Sequence, residues 1–185
     1  MIADTLKEAE YRMKKAVESL REDLMAIRTG RASPALVERL RVDYYGAPTP
    51  LNQLAAISAP EPRLLVVRPW DPSVIGDIEK AILKSELGLT PNNDGAIIRL
   101  PIPRLTEERR RELNKVVSRR VEEGHISVRN VRRDIQEDMR ELEKEKLITE
   151  DDLHKGRDDL QKLHDKYVEH MDEIGKAKQQ EILEV

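Results

Sequence analysis

The stretch TEERRRELNKVVSRRVEEGHISVRNVRRDIQEDMREL, Thr106 to Leu142, carries Leu113, Val116 or Val117, Val121, Gly124, Val128, Val131, Ile135, Met139 and Leu142. Their steps of three and four mark one face of an α-helix. Thr106 offers a capping hydroxyl, and Glu107 and Glu108 put negative charge in the first turn, where the helix dipole favours it. At roughly 1.5 Å per residue such a helix reaches about 60 Å. Its apolar stripe is too narrow to be buried alone, so the helix needs partners from elsewhere in the chain.

Two further segments supply them. Leu6, Ala9, Met13, Ala16, Leu20, Leu24 and Ile27 repeat at helical steps, and Gly30 is the expected stop. In LITEDDL, Thr149 reads as an N-cap with Asp152 three residues on, a variant of the capping box. Leu153, Leu160, Leu163, Tyr167, Met171 and Ile174 continue from it as a third seam. Three narrow seams of nearly heptad spacing predict an elongated three-helix bundle.

Between the first two helices the chain changes character. All ten prolines lie from Pro34 to Pro103, and only 17 of the 69 charged residues fall within residues 31–104. ERLRVDYYG, LAAIS and RLLVVRP read as strands ending at glycine or proline. PSVIGDIEKAILKS reads as a helix, and AIIRLPIP as a returning strand confined by its prolines to an edge or an end. The fold class is therefore α+β. A bundle domain of residues 1–30 and 105–185 carries an inserted β/α/β domain of residues 31–104. The two connections, Gly30–Arg31 and Arg104–Leu105, are expected to pass side by side as a hinge.

Composition narrows the function classes. There is no cysteine, which excludes disulfides, thiolate metal sites and a cysteine nucleophile. No run of about 18 apolar residues spans a membrane, and MIADTLKEAEYRMKK lacks a signal-peptide core, so a cytoplasmic protein is expected. Phosphate-loop, dinucleotide, nucleophile-elbow and zincin motifs are all missing. His154 with Asp158, and His164 with its acidic neighbours, have helical spacing but read as a solvated face, so no metal is expected. Tyr44 and Tyr45 read as strand neighbours on opposite faces, and Trp70 as a cover for the edge of the small core.

The net charge of -3 hides an asymmetry. Residues 109–133 hold nine basic residues against three acidic ones, a balance of +6, whereas residues 134–185 balance at -8. At about 100° per residue, Arg132 lies about 40° from the Val128 seam, Arg129 about 100° and Arg133 about 140°. Such a stripe on a rigid helix is the footprint of a polyanion surface. Arg132 sits nearest the apolar side, where packing of its stem would hold a guanidinium fork ready for a phosphate. The competing reading pairs Arg129 and Arg133 with Asp134, Glu137 or acids of the third helix.

IRTGRASPALVERLRVDYYGAPTPLNQLA (27–55), LTPNNDGAIIRLPIPRLTEERR (89–111) and VRNVRRD (128–134) together resemble bacterial ribosome recycling factor along the whole chain. The resemblance implies an L-shaped monomer that mimics transfer RNA in outline. It implies binding to the post-termination ribosome through large-subunit ribosomal RNA, and separation of the subunits with elongation factor G and GTP. No bond is made or broken by the factor, so neither enzyme activity nor a cofactor is expected. By the same resemblance Arg28, Arg31, Arg129, Arg132 and Arg133 are the RNA contacts. The alternative is a helical adaptor that binds a protein partner through its acidic face.

Overall fold

The computed structural model describes residues 1–184. The long charged stretch forms a single helix, α3, over Glu107–Lys144. Thr106 lies just outside it, and its Oγ1 accepts from the Arg109 N–H at 3.1 Å, satisfying one of the backbone donors that a helix start leaves unpaired. The chain reverses through Lys146, whose φ is +59°, and enters α4, Glu150–Leu183. The capping box is reciprocal. Asp152 N–H donates to Thr149 Oγ1 at 3.1 Å, and Thr149 N–H donates to Asp152 Oδ2 at 3.0 Å.

The chain divides into two compact units, residues 1–24 with 114–180, and residues 25–113 with the chain from Glu181. In the first, α1 (Ile2–Met25) packs with α3 and α4 as a three-helix bundle. Buried Ala9, Met13, Val17, Leu20 and Leu24 face Val117, Val128, Val131, Ile135 and Met139 of α3 and Leu153, Leu160, Tyr167 and Met171 of α4. Val17 rather than Ala16 holds the seam on α1. Glycines let the helices approach. A Cβ on Gly124 would lie 3.0 Å from Met171 Sδ, one on Gly156 3.2 Å from Met139 Sδ, and one on Gly175 only 2.7 Å from Val121 Cγ2. Because the α4 partner falls in number as the α3 residue rises, the two helices run antiparallel. Polar clasps add to the packing: Tyr167 Oη donates to Glu10 Oε1 at 2.8 Å, and Arg12 pairs with Asp134 at 2.8 Å.

Helix α1 does not continue to Gly30. It stops at Met25, after which Ile27 and Arg28 are drawn into buried positions, and that tertiary contact overrides the helical periodicity of the sequence.

The second unit holds six strands and one helix between α1 and α3. β1 (Arg41–Tyr44) and β2 (Ala47–Pro50) form a hairpin whose loop residues Tyr45 and Gly46 both have positive φ, +49° and +84°. This is the backbone that matches strand twist, and Asp43 Oδ1 braces it by accepting from Gly46 N–H at 2.8 Å. A four-stranded antiparallel sheet has the order β3-β4-β6-β5, from Ala55–Glu61, Leu64–Pro69, Ile98–Pro101 and Asn92–Asn93. Helix α2, Ile75–Lys84, sends Ile78 and Ile82 into a core with Leu65, Val67, Ile98 and Leu100.

The returning strand β6 is internal to the sheet, with Pro101 at its end, one of the two places expected for its prolines. Two local expectations change. Tyr44 packs against the small core and Tyr45 is exposed, but Tyr45 occupies the turn and not the strand, and Trp70 is 65% exposed instead of covering the core. The short strands β2 and β5, made of APTP and NN, carry no apolar alternation and were not expected.

Asp94 ties the turn between β5 and β6. Its Oδ1 accepts from the N–H groups of Ile97 and Ala96 at 2.8 and 2.9 Å, and Oδ2 pairs with Arg99 at 2.9 Å. These contacts, the Ile97 amide foremost, hold its pKa down to about 2.

Two predictions test these features. Gly175→Ala should lower the melting temperature by several degrees, because crowding Val121 costs about 1–3 kcal/mol and outweighs the helix propensity gained. Adding Val121→Ala should recover part of the stability, and an unchanged melt in the single variant would contradict the close approach. For Asp94, a folded pKa below the unfolded value of about 3.9 means a contribution that is complete above that pH and lost as pH falls toward 2. Asp94→Ala should therefore melt earlier than the parent at pH 7, with the gap shrinking between about pH 4 and 2. A gap constant across that range would show that the carboxylate charge does not matter.

Candidate nucleic-acid interface

Ion pairs neutralise much of the arginine stripe on α3. Arg109 pairs with Glu112 at 2.9 Å, Arg111 with Glu107 at 2.8 Å, Arg120 with Glu123 at 3.1 Å and Arg140 with Glu137 at 3.5 Å. All are exposed pairs between neighbours on one helix, a class that contributes roughly 0–1 kcal/mol each.

Arg132 is held differently. Half-buried beside Val131 and Ile135, it donates from Nη1 to Gln161 Oε1 of α4 at 3.1 Å and forms no ion pair among the described residues. The Gln161 amide is itself oriented, because its Nε2 donates to Asp165 Oδ1 at 2.8 Å. His164 Nδ1 lies 2.9 Å from the same oxygen and only 12% of its side chain is exposed. Asp165 is thereby held below the usual carboxylate range, chiefly by His164, with Gln161 and the charge of Arg132 adding. One guanidinium nitrogen is anchored to a neutral acceptor, and the remaining N–H groups are left without a protein partner among the described residues. The positive charge is uncompensated at contact distance.

Arg129 is engaged by a carboxylate. Its Nη2 donates to Glu122 Oε1 at 2.6 Å and its Nε to the His125 carbonyl at 3.4 Å. Glu122 lies two turns back on the same face, and the Arg129 hydrogen bond is the main reason that its pKa is lowered. His125 bridges to α4 through Asp172 at 2.8 Å. The acids expected to compete are occupied elsewhere, Asp134 by Arg12 and Glu137 by Arg140. Arg133 is exposed and has no ion pair or hydrogen bond among the described residues.

Arg28 and Arg31 fall in the second unit, apart from the three arginines of the bundle. Arg28 is only 7% exposed, and its Nη2 donates to the Pro103 carbonyl. Burial, reinforced by the charge of Arg109, depresses its pKa. Its guanidinium ties residue 28 to residue 103 rather than lying on the surface. Arg31 is exposed, and its N–H donates to Thr29 Oγ1 at 3.2 Å. With Gly30, Arg104 and Leu105 it lines one cleft of the second unit, so all four expected hinge residues lie within that unit.

The sequence carries no direct signal for Gln161. Its role needs α4 in register against α3, and only the grouping of Gln161, His164 and Asp165 at steps of three and four hints at a shared face. Among the described residues no helix is long and apolar enough to cross a membrane.

Comparison with known proteins agrees with this architecture. The family described as Ribosome recycling factor matches residues 20–183. Ribosome-recycling factors of Syntrophomonas wolfei and Carboxydothermus hydrogenoformans are 57% and 55% identical over 185 residues, covering all of both chains. Among solved structures, a solution structure of ribosome recycling factor superposes with a TM-score of 0.74 at 44% identity, covering 100% of this chain and 98% of that one. A second neighbour is described as Thermus thermophilus ribosome recycling factor and Escherichia coli elongation factor G bound to the Escherichia coli post-termination complex. It matches with a TM-score of 0.66 at 42% identity over the whole of both chains. With a family match over most of its length and relatives more than half identical from end to end, this chain belongs to the ribosome recycling factor family.

Proposed function

We propose that this chain binds the post-termination ribosome through large-subunit ribosomal RNA and, together with elongation factor G and GTP, promotes separation of the subunits. The observation that carries the RNA-binding part is the environment of Arg132. Arg129 and Arg140 on the same helix are neutralised by carboxylates, whereas Arg132 is fixed by an amide and keeps its charge and most of its donors. A guanidinium pre-oriented in this way gives up little side-chain freedom when it meets a phosphate, and its planar fork fits two phosphate oxygens.

Arg133, exposed and without a partner, adds attraction without fixed geometry. Arg129 joins the contact by exchanging Glu122 for a phosphate, which makes its contribution a difference between two ion pairs. Arg28, in the second unit, contributes by tying residue 28 to the Pro103 carbonyl, which steadies the backbone that carries Arg31. Contacts of this kind go to the sugar-phosphate framework and position the protein without reading base sequence. The factor's work is binding, and chemistry enters through the GTP consumed with its partner.

Arg132→Ala should keep helicity and melting near those of the parent, since little buried volume is removed. Binding to 50S subunits should weaken by roughly 1–3 kcal/mol, the range for a hydrogen bond to a charged group. Arg132→Lys should rescue only partly, because it retains charge but not the planar donor pair. Arg140→Ala removes an exposed, already paired cation and should bind nearly as the parent does across a salt series. Equal binding by the two alanine variants would refute the assignment, as would unfolding of Arg132→Ala.

A further inference from the structure

The cleft lined by Arg31 has a composition that nothing above accounts for. It measures about 250 Å³ and brings together Arg31, Arg63, Arg104 and Arg110, with Glu184 the one acidic residue that lines it, its backbone carbonyl beside Gly30. All five residues belong to the second unit. Backbone hydrogen bonds fix the segments that build it. Ala32 N–H donates to the Pro62 carbonyl at 2.7 Å, and Ile102 N–H donates to the Arg63 carbonyl at 2.8 Å.

The four guanidinium groups are not matched by carboxylates among the described residues. Arg63 spends only its Nε, on the Ile102 carbonyl at 3.2 Å. Arg110 is half-buried, with Nε enclosed and without a hydrogen-bond partner. Its neighbours Arg109 and Arg111 each have a glutamate within 2.9 Å, so Arg110 is the member of the triplet left without one. None of the four forms an ion pair among the described residues. Four cations lining one cleft repel one another, and an enclosed N–H without an acceptor is costly. Both costs are relieved by an anion with several acceptor oxygens arrayed for planar forks, which describes a phosphate better than a carboxylate. The volume has room for a phosphate group.

We propose that this cleft is a phosphate-binding site that takes one backbone phosphate of RNA. The choice of RNA as the source rests on the ribosome-binding reading, while the affinity for a phosphate group does not. Arg31, Arg63 and Arg104 enclose the anion from the exposed side, and Arg110 donates from the inner wall.

The full chain should be titrated with inorganic phosphate at constant ionic strength, with amide resonances of Gly30 and Leu105 followed by NMR. Saturable shifts are expected, absent in Arg63→Gln/Arg104→Gln and retained in Arg140→Gln. Should the double variant melt early, Arg104→Gln alone, at an exposed position, replaces it, and a several-fold weaker response is expected. The second arm measures binding to 50S subunits across a potassium chloride series. There the double variant should show a logarithmic slope shallower by about 0.7–0.9, the increment for one phosphate that it no longer neutralises. Absence of saturable shifts in the parent overturns the site. Saturable shifts with an unchanged slope overturn RNA as the source and leave free phosphate as the ligand. If the parent chain fails to bind 50S subunits at all, the ribosome reading falls, and the titration still decides whether the cleft holds phosphate.

Discussion

How near α4 can come to α3 governs most of what the bundle presents. Gly124, Gly156 and Gly175 remove the side chains that would hold the helices apart, and Met171, Met139 and Val121 fill the space directly opposite. Buried valines, isoleucines and leucines each contribute roughly 1.5–3 kcal/mol of transfer free energy, but that term is non-directional and would be satisfied by several registers. The glycine contacts are not so permissive, because a shift of one helical turn would drive an ordinary side chain into the gap. The register they fix is the one that puts Gln161 within reach of Arg132. Geometry at the surface is therefore inherited from small residues in the seam.

The electrostatic pattern follows from that register. Arginines whose neighbours on α3 are glutamates pair along the helix, a local arrangement that any exposed helix of this composition would adopt. Arg132 looks across to α4 and meets an amide locked by Asp165 and His164. Contact with a neutral group orients a cation without cancelling it, whereas a carboxylate does both. A basic stripe thus contains positions of different kinds: spent charges, a free but loose charge at Arg133, and a held charge at Arg132.

Much of the fold was legible because it depends on local rules. The long helix, its Thr106 cap, the reciprocal box at Thr149 and Asp152, and the strands around RLLVVRP follow from period, capping chemistry and proline position. The unread parts depend on contacts distant in sequence. Helix α1 ends early because Ile27 and Arg28 find burial elsewhere. β2 and β5 exist by pairing with stronger strands, and their residues do not announce them. The site was legible only in part. Arg132 could be singled out from its angle to the seam, but its acceptor on α4 could not. Arg28, an RNA contact by the family resemblance alone, is almost fully enclosed in the structure. Arg129 found its partner two turns back at Glu122, while the acids nearest in sequence were taken by Arg12 and Arg140.

A cryo-electron microscopy reconstruction of the chain bound to the 50S subunit, at a resolution that shows side chains, tests the central claim most directly. The account predicts the guanidinium of Arg132 within hydrogen-bonding distance of a ribosomal RNA phosphate, with its contact to Gln161 still in place. A bound state in which Arg132 faces solvent, or in which the acidic surface of α4 makes the ribosomal contact in its stead, would contradict it.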